Sequence, residues 1–566
     1  MGLTKKERRE QKQNVSIDGV FENKQKAFSI KKLLADNWKF LLLVLSLVTL
    51  LYANGMNADF VSDDYASITQ NPIISSVDNI WSSKNFVGAT LTIVAKIFGI
   101  ASPLPFHLPS LFAFWVVLIL AFAMLAQIVE VKVAKGAVLM FGLLPVNVEA
   151  ITWISGRPYL YGAIGLLSSV LILMRYLETK NRKLIFYLVL CFIATYFGIH
   201  VRVINILPVL LLFLICFGHV KRGDLLKLSL GTLGAIVVAL IIFAPAISSR
   251  IGAVNSSVAT IWDYFYQPWY QYPTAIAKYL QLILIPVDLT LYHTMYTVPL
   301  WLNWITFLVF IACGVYFWKK NKVLTFGLFF IFAASAGSLL PLKVGWLVAE
   351  RYVFIGALGF CLVGSIVFWN IYEKIKYVSL IPVFILLSLY SYRIYIRNID
   401  WQTNHNLWVN TCLVSPNSHN AWNNIGDDYD KLKQYDNAIK GFSQSTIVKP
   451  DYSDAFHNRA NILFKVGRYD LARQSYMTAL QFNPALYQSR MSLIQVSITE
   501  GNIGQAVNDS FELVKQRPGD VMAHYALGFS LAKSGRNDEA KLALRQALQI
   551  NPGFVQATEL LKALGP

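Results

Sequence analysis

Residues 38 to 72 read WKFLLLVLSLVTLLYANGMNADFVSDDYASITQNP. The first part, 38–54, is an apolar run of the length that crosses a bilayer, where roughly 20 apolar residues suffice. The second part brings Asp59, Asp63 and Asp64, three carboxylates within six residues, to the mouth of that run. Carboxylates cost free energy beside hydrocarbon, so acidic residues held there are usually kept for a task. A solvated acidic turn is the plainer reading, and Asn54-Gly55 just upstream suits one.

Composition points to a membrane. The chain has 566 residues, of which 55% are hydrophobic and 14% aromatic, a make-up uncommon in soluble proteins of this size. Its net charge is +18, concentrated in short loops and in a basic N-terminal stretch. That placement suggests membrane orientation rather than nucleic-acid binding. Residues 1–36 read as a disordered cytoplasmic tail with no cleavage site. The five cysteines contain no CxxC, so neither a zinc site nor a disulfide framework is expected.

Apolar runs at 38–54, 106–129, 133–149, 158–177, 183–199, 202–218, 225–246, 299–318, 323–341, 351–371 and 377–395 predict about eleven spans. Segment 85–104, broken by Gly88, Gly99 and Pro103, reads as re-entrant or interfacial, and 275–290 is similarly short. The basic loops all fall on one side of this arrangement, which the positive-inside rule makes cytoplasmic. Asp63, Asp64, Glu149, Arg157, Arg202, Glu350 and Arg351 then share the extracytoplasmic face, with Glu149 paired to Arg157 and Glu350 to Arg351 by position. Snorkelling explains Arg250 and Lys278 sufficiently.

The C-terminal part is periodic. Pro416, Pro450, Pro484, Pro518 and Pro552 stand 34 residues apart. Between them, Trp422, Gly426, Tyr429, Ala438 and Phe442 match the tetratricopeptide pattern, as do Ala460, Ala472 and Tyr476, and then Gly528, Ala540 and Leu544. The third unit is poor, with Arg490 and Ser497 where aromatics are expected. Stacked units of this kind form one continuous core and a concave groove suited to peptides. Asn423, Asn424, Asn458 and Arg459 are candidate groove residues. The chain therefore reads as all-α: a tail at 1–36, a membrane domain at 37–396, a junction at 397–418 and repeats at 419–566 with a capping helix.

Several stretches resemble one family in its own order. They are Phe60-Val61-Ser62-Asp63-Asp64 with Asn71-Pro72, then Pro105-Phe106-His107, then Val148-Glu149-Ala150-Ile151 with Ile154-Ser155-Gly156-Arg157. Val348-Ala349-Glu350-Arg351-Tyr352 and Arg397-Asn398-Ile399-Asp400-Trp401-Gln402 with Leu407-Trp408 follow. Together these look like the transmembrane-and-TPR (TMTC-like) O-mannosyltransferases, across roughly 40–566. Leu144-Pro145 stands where the family often has His-Pro, and Val201-Arg202 where it often has Lys-Glu.

The resemblance implies a GT-C-type glycosyltransferase using a polyprenyl-phosphate sugar, here a bacterial relative in an inner membrane. Transfer to a Ser or Thr hydroxyl needs a base, for which Asp63 is the first candidate and Asp64 the second. The leaving phosphate needs a cation, and Arg157, Arg202 and Arg351 are candidates. Glu149 and Glu350 would orient those arginines; His107 and Asn71 are supporting residues. Adjacent Asp63 and Asp64 are also oxygen ligands of the kind that hold Mg²⁺ or Mn²⁺, although no metal is expected. The aromatic stretch 262–272, with Trp262, Tyr264, Tyr266, Trp269, Tyr270 and Tyr272, would flank the lipid. The protein acceptor would dock on the repeats. The rival readings are a membrane scaffold that only recruits partners, and a lipid or sugar transporter, which would carry polar residues at the bilayer midplane.

Overall fold

The computed structural model describes residues 29–76, 86–198, 202–218, 266–340 and 346–565, with scattered helical positions between 224 and 241. It divides into two compact units, the first ending at Asn410 and the second beginning at Thr411. No strand occurs among the described residues.

In the first unit the helices Leu104–Ile128, Ile154–Thr179, Leu300–Trp318 and Ala357–Asp400 are long and apolar enough to cross a membrane. Two bent pairs, Ile30–Asp36 with Trp38–Tyr52 and Val131–Gly142 with Pro145–Thr152, raise the number to six at most. The described residues thus give four to six candidate spans, not eleven. Several of the expected runs are helices too short for a direct crossing: Lys183–Gly198, Ile206–Phe217 and Lys322–Ala334. Half of the expected span 225–246 lies outside the described residues. The first helix, Ile30–Asp36, begins where the disordered tail was expected to continue.

The bend at 142–145 has a local cause. Pro145 has no N–H to give to the carbonyl of Phe141, four residues back. The side-chain amide of Asn147 donates to that carbonyl instead, at 2.6 Å. Helix Phe86–Phe98 packs Leu91, Val94 and Ala95 against Phe60, Ile68 and Phe106, and leaves Phe86, Ile97 and Phe98 exposed. With only 13 residues and apolar groups on its outer face, it suits the interface better than a crossing. Helix Leu300–Trp318 turns Trp301, Ile305, Leu308 and Val309 outward, as a lipid-facing surface requires.

The second unit is a stack of helical hairpins: His419–Lys431 with Tyr435–Val448, Ser453–Lys465 with Tyr469–Phe482, Tyr487–Thr499 with Ile503–Gln516, and Val521–Lys533 with Asn537–Ile550. Helix Val555–Ala563 closes the end. Small residues set the spacing. A Cβ on Gly426 would lie 2.8 Å from the Phe442 ring, and Ala438, Ala460, Ala472, Ala506 and Ala540 are fully buried. The third unit folds like the others despite its weak pattern, because Ile494, Ala506, Leu513, Ala523 and Ala526 supply its core.

Candidate active site

Asp63 and Asp64 are neighbours with opposite surroundings. Asp63 is exposed, while Asp64 is completely buried. Asp64 Oδ2 accepts from the Val61 N–H at 3.3 Å. Its Oδ1 accepts from the Ser155 N–H at 2.9 Å and from the Ser155 hydroxyl. Burial pushes this carboxyl up to about 7, against the pull of the Ser155 and Val61 hydrogen bonds. Ser62, just before the acidic pair, is left-handed with φ 54°, and its N–H donates to Asn404 Oδ1 at 2.9 Å. Asp59 N–H donates to the Gln402 carbonyl at 2.8 Å. A single π-helical turn, Tyr65–Thr69, follows directly. Strained backbone and π-turns gather at functional sites because the surroundings must overdetermine them.

Residues 149–157 join the other motifs together. Glu149 accepts from the Arg351 guanidinium and, at 2.8 Å, from the Arg351 N–H. Thr152 hydroxyl donates to Asn398 Oδ1 at 2.7 Å. The Trp153 ring stacks on Trp401 with centroids 5.6 Å apart, and the Arg351 guanidinium lies 5.4 Å from it. Ser155 holds Asp64, as described. Arg157, fully buried, donates to Ser110 Oγ and Thr90 Oγ1, each at 3.2 Å, and to the Phe106 carbonyl.

The acids and bases therefore pair differently from their order in the chain. Glu149 joins Arg351, not Arg157. Glu350 joins Arg397 at 3.0 Å, not Arg351, and also accepts from the Thr290 N–H at 2.6 Å. His293 Nε2 stands 3.6 Å from Glu350, its imidazole made less basic by burial. Adjacent residues on a helix point to different sides, so Glu350 and Arg351 cannot face one another.

His107 Nε2 meets the Ala58 carbonyl at 3.0 Å and so braces the start of the acidic loop. Asn71 makes a local turn, its Oδ1 accepting from Ile73 N–H and its amide donating to the Ser67 carbonyl. Arg202 opens the short turn Arg202–Asn205, but its side chain lies outside the described residues, as do Trp262 and Tyr264. Arg351 keeps 10% of its side chain exposed. It lines a narrow crevice with Tyr159, Gly162, Ala163 and Tyr352, enclosed by Leu166 and Phe354.

In the repeats, Asn458 donates to Asn423 Oδ1 at 3.1 Å and lines a cavity. Arg459 instead turns to Ser475 and Phe456, and Asn424 is half-buried on the same helix as Asn423.

For a divalent cation the acidic pair is ill arranged. Asp64 turns both oxygens inward to Val61 and Ser155, and among the described residues no three His, Cys, Asp or Glu side chains are gathered.

Sequence reasoning gave no role to Ser155, Arg397, Asn398, Trp401 or Asn404, and did not notice Thr290 or His293. The run of polar residues closing an apolar helix at 397–402 was the available signal for the junction.

Tetratricopeptide-repeat family models match residues 419–452, 453–486 and 521–554. Protein O-mannosyl-transferase TMTC3 of Homo sapiens is 24% identical over 91% of this chain and 64% of its own length. Protein O-mannosyl-transferase F38B6.6 of Caenorhabditis elegans is 24% identical over 71% of this chain and 62% of its own length. The chain thus spans a little under two thirds of the curated relatives it matches. The crystal structure of YrrB, described as a TPR protein with an unusual peptide-binding site, aligns with 34% of this chain and 97% of its own, at TM-score 0.26 and 21% identity. The chain is thus similar to the TMTC protein O-mannosyl-transferases over nine-tenths of its length and carries tetratricopeptide repeats at its C-terminal end.

Proposed function

We propose that the chain transfers a sugar from a polyprenyl phosphate to a Ser or Thr hydroxyl of a protein. Asp63 is the base. It takes the hydroxyl proton as that oxygen bonds to the anomeric carbon, the bond from that carbon to the phosphate oxygen breaks, and polyprenyl phosphate departs. Asp64 positions Asp63 through its hydrogen bonds to Val61 and Ser155.

Arg351 is our assignment for the leaving phosphate. It is anchored by Glu149, keeps an accessible edge and borders the Tyr159 and Tyr352 side chains. Arg202 is retained as a second cation. Arg157, enclosed by neutral oxygens, holds the helices together and adds positive potential near Asp64. The remaining short apolar helices would complete a GT-C-like domain of about eleven spans. The basic N-terminal stretch would be cytoplasmic, and the site and repeats extracytoplasmic. Acceptor held on the repeats would reach the site at raised effective concentration.

The observation that carries this reading is the convergence on 149–157. One short segment binds the acidic loop, the Glu350-Arg351 motif and the junction, so residues scattered over the chain meet on one segment that also holds Asp64, the neighbour of the exposed Asp63. The test is to supply membranes containing the chain with a panel of radiolabelled polyprenyl-phosphate sugars and extracytoplasmic protein. Label on a protein band, absent from membranes lacking the chain, is the expected result. No label from any donor would overturn the assignment and favour a scaffold.

A further inference from the structure

We propose that Arg397 is a positioning residue for the leaving phosphate: it takes up the Glu350 carboxylate, so that the neighbouring Arg351 keeps its free edge for the donor. This rests on the assignment of Arg351 given above.

Two carboxylates and two arginines meet in this part of the first unit. Glu149, Glu350 and Arg397 are fully buried, while Arg351 keeps 10% of its side chain open. Buried charges persist when each is matched and hydrogen-bonded. Here each acid has its own arginine. Glu149 accepts from the Arg351 N–H at 2.8 Å and from the Arg351 guanidinium. Glu350 Oε1 accepts from Arg397 Nη2 at 3.0 Å and Oε2 from Arg397 Nε at 3.4 Å, the two-point grip that suits a planar guanidinium.

The two arginines differ in what they have left to give. Arg397 directs its remaining nitrogen, Nη1, to Asp400 Oδ2 at 3.2 Å and Asn410 Oδ1 at 3.4 Å. With every nitrogen engaged and the side chain buried, it has nothing to offer a substrate. The Arg351 guanidinium engages Glu149 through Nη1 and retains its open edge. Any effect of Arg397 on a donor must therefore pass through its neighbours.

Two neighbours can carry it. The first is Glu350, the residue beside Arg351 in the chain. Its Oε1 also accepts from the Thr290 N–H at 2.6 Å, so this carboxylate fastens the stretch after helix Pro268–Leu284 to the last helix of the unit. An unmatched negative charge at that place would compete with the phosphate for Arg351 and would repel the phosphate. Arg397 cancels it. Arg393, 3.9 Å from Asp400, completes the balance, so that three acids face three arginines. The second route is an indole pair. The Arg397 guanidinium lies 5.3 Å from the Trp401 ring, Trp401 stacks on Trp153, and Arg351 lies 5.4 Å from Trp153. The two arginines thus flank one stacked pair of rings, and a shift of the first disturbs the support of the second.

The test measures binding of geranyl phosphate, a short soluble form of the leaving group, to the full chain in nanodiscs. Arg397→Gln should weaken binding about tenfold, because Glu350 is left charged beside Arg351. Glu350→Gln keeps the shape and the acceptor for Thr290, leaves Arg397 to Asp400, and should tighten binding about threefold. The double variant should return to within about threefold of the intact chain. A mere strut would behave otherwise, with both Glu350→Gln and the double variant binding more weakly. Arg473→Gln breaks a half-buried pair with Glu500 in the repeats and is the control that binds normally. In transfer assays Arg397→Gln should raise the donor KM about tenfold at unchanged acceptor KM, whereas a misfolded fraction lowers kcat at constant KM. Where Arg397→Gln fails to fold in thermal melts, Glu350→Gln decides alone.

Unchanged binding in Arg397→Gln, weaker binding in Glu350→Gln, or no recovery in the double variant would overturn the inference and leave the transferase standing. Failure of the intact chain to bind geranyl phosphate would overturn the assignment of Arg351 and the inference together. Binding that depends on Arg397, in a chain that transfers no sugar, would uphold the inference and refute the transferase.

Discussion

The repeat half and the membrane half are both helical, yet they are specified over very different distances along the chain. In the repeats a helix finds its partner a few residues on, and errors in one unit are absorbed by its neighbours. In the first half, the contacts that fix the acidic loop join Ser62 to Asn404, Thr152 to Asn398 and Glu149 to Arg351, the last two pairs 246 and 202 residues apart. A local pattern makes a robust stack. Long-range polar contacts make a site that one substitution can loosen.

The sharpest break of this contrast is Asp63→Asn. It removes the proposed base while keeping shape and leaves the repeats untouched. Sugar transfer should fall by about 10²–10⁴-fold, the usual weight of a positioned base, with peptide binding by the repeats unchanged. Retained transfer would move the base elsewhere, and Asp64 would be a poor substitute since it is enclosed. Next in size is Asn398→Leu. Asn398 donates to the Leu51 carbonyl at 3.0 Å and to Asn54 at 2.9 Å, and accepts from Thr152. Stranding these buried groups should destabilise the first unit by about 3 kcal/mol. Hydrogen exchange in the 55–64 loop should rise and exchange in the repeats should not.

How much of this was legible differs between the halves for the same reason. The repeat register could be read from five prolines, and even the weak third unit folds in it. The motifs of the membrane half could be found, but not their partners. Glu149 and Arg157 look paired in the sequence because they share a segment, while Glu149 in fact reaches Arg351. Nothing local to Ser155 announces that its hydroxyl holds a buried carboxylate. Apolar runs alone do not tell which helices cross directly: some break, as at Pro145, and others are short, so the described residues give four to six candidate spans.

The buried Asp64 makes the acidic loop depend on pH. Its carboxyl is raised from the ordinary range to about 7 by burial. The closed loop therefore binds a proton more tightly than the open one, and this contribution to closure is complete near pH 4 and lost as pH rises to about 7. Loop opening should increase by up to about tenfold per pH unit across that window and level off above it. Exchange rates corrected for intrinsic chemistry would measure this. Asp64→Asn should flatten the slope; an unchanged slope in that variant would assign the titration to another group.

The smallest effect lies in the repeats and tests how local their specification is. The turn inside each hairpin is left-handed at the same register: Lys433 at φ 58°, then Gly467, Gly501 and Gly535 at 77°, 80° and 77°. Each is followed by the same closing bond, from Gln434 to Tyr429, Arg468 to Leu463, Asn502 to Ser497 and Arg536 to Leu531. Only the first unit lacks glycine there. A side chain costs about 1–2 kcal/mol in this conformation, while glycine is more costly to order from the unfolded chain. Lys433→Gly should therefore stabilise the first repeat by about 0.5–1 kcal/mol, and Gly467→Lys should destabilise the second by a similar amount. Both shifts should stay within the repeats, with exchange in the 55–64 loop unaltered. A change there on either substitution would mean that the acidic loop responds to the stability of the repeats, and the two halves would no longer count as separately specified.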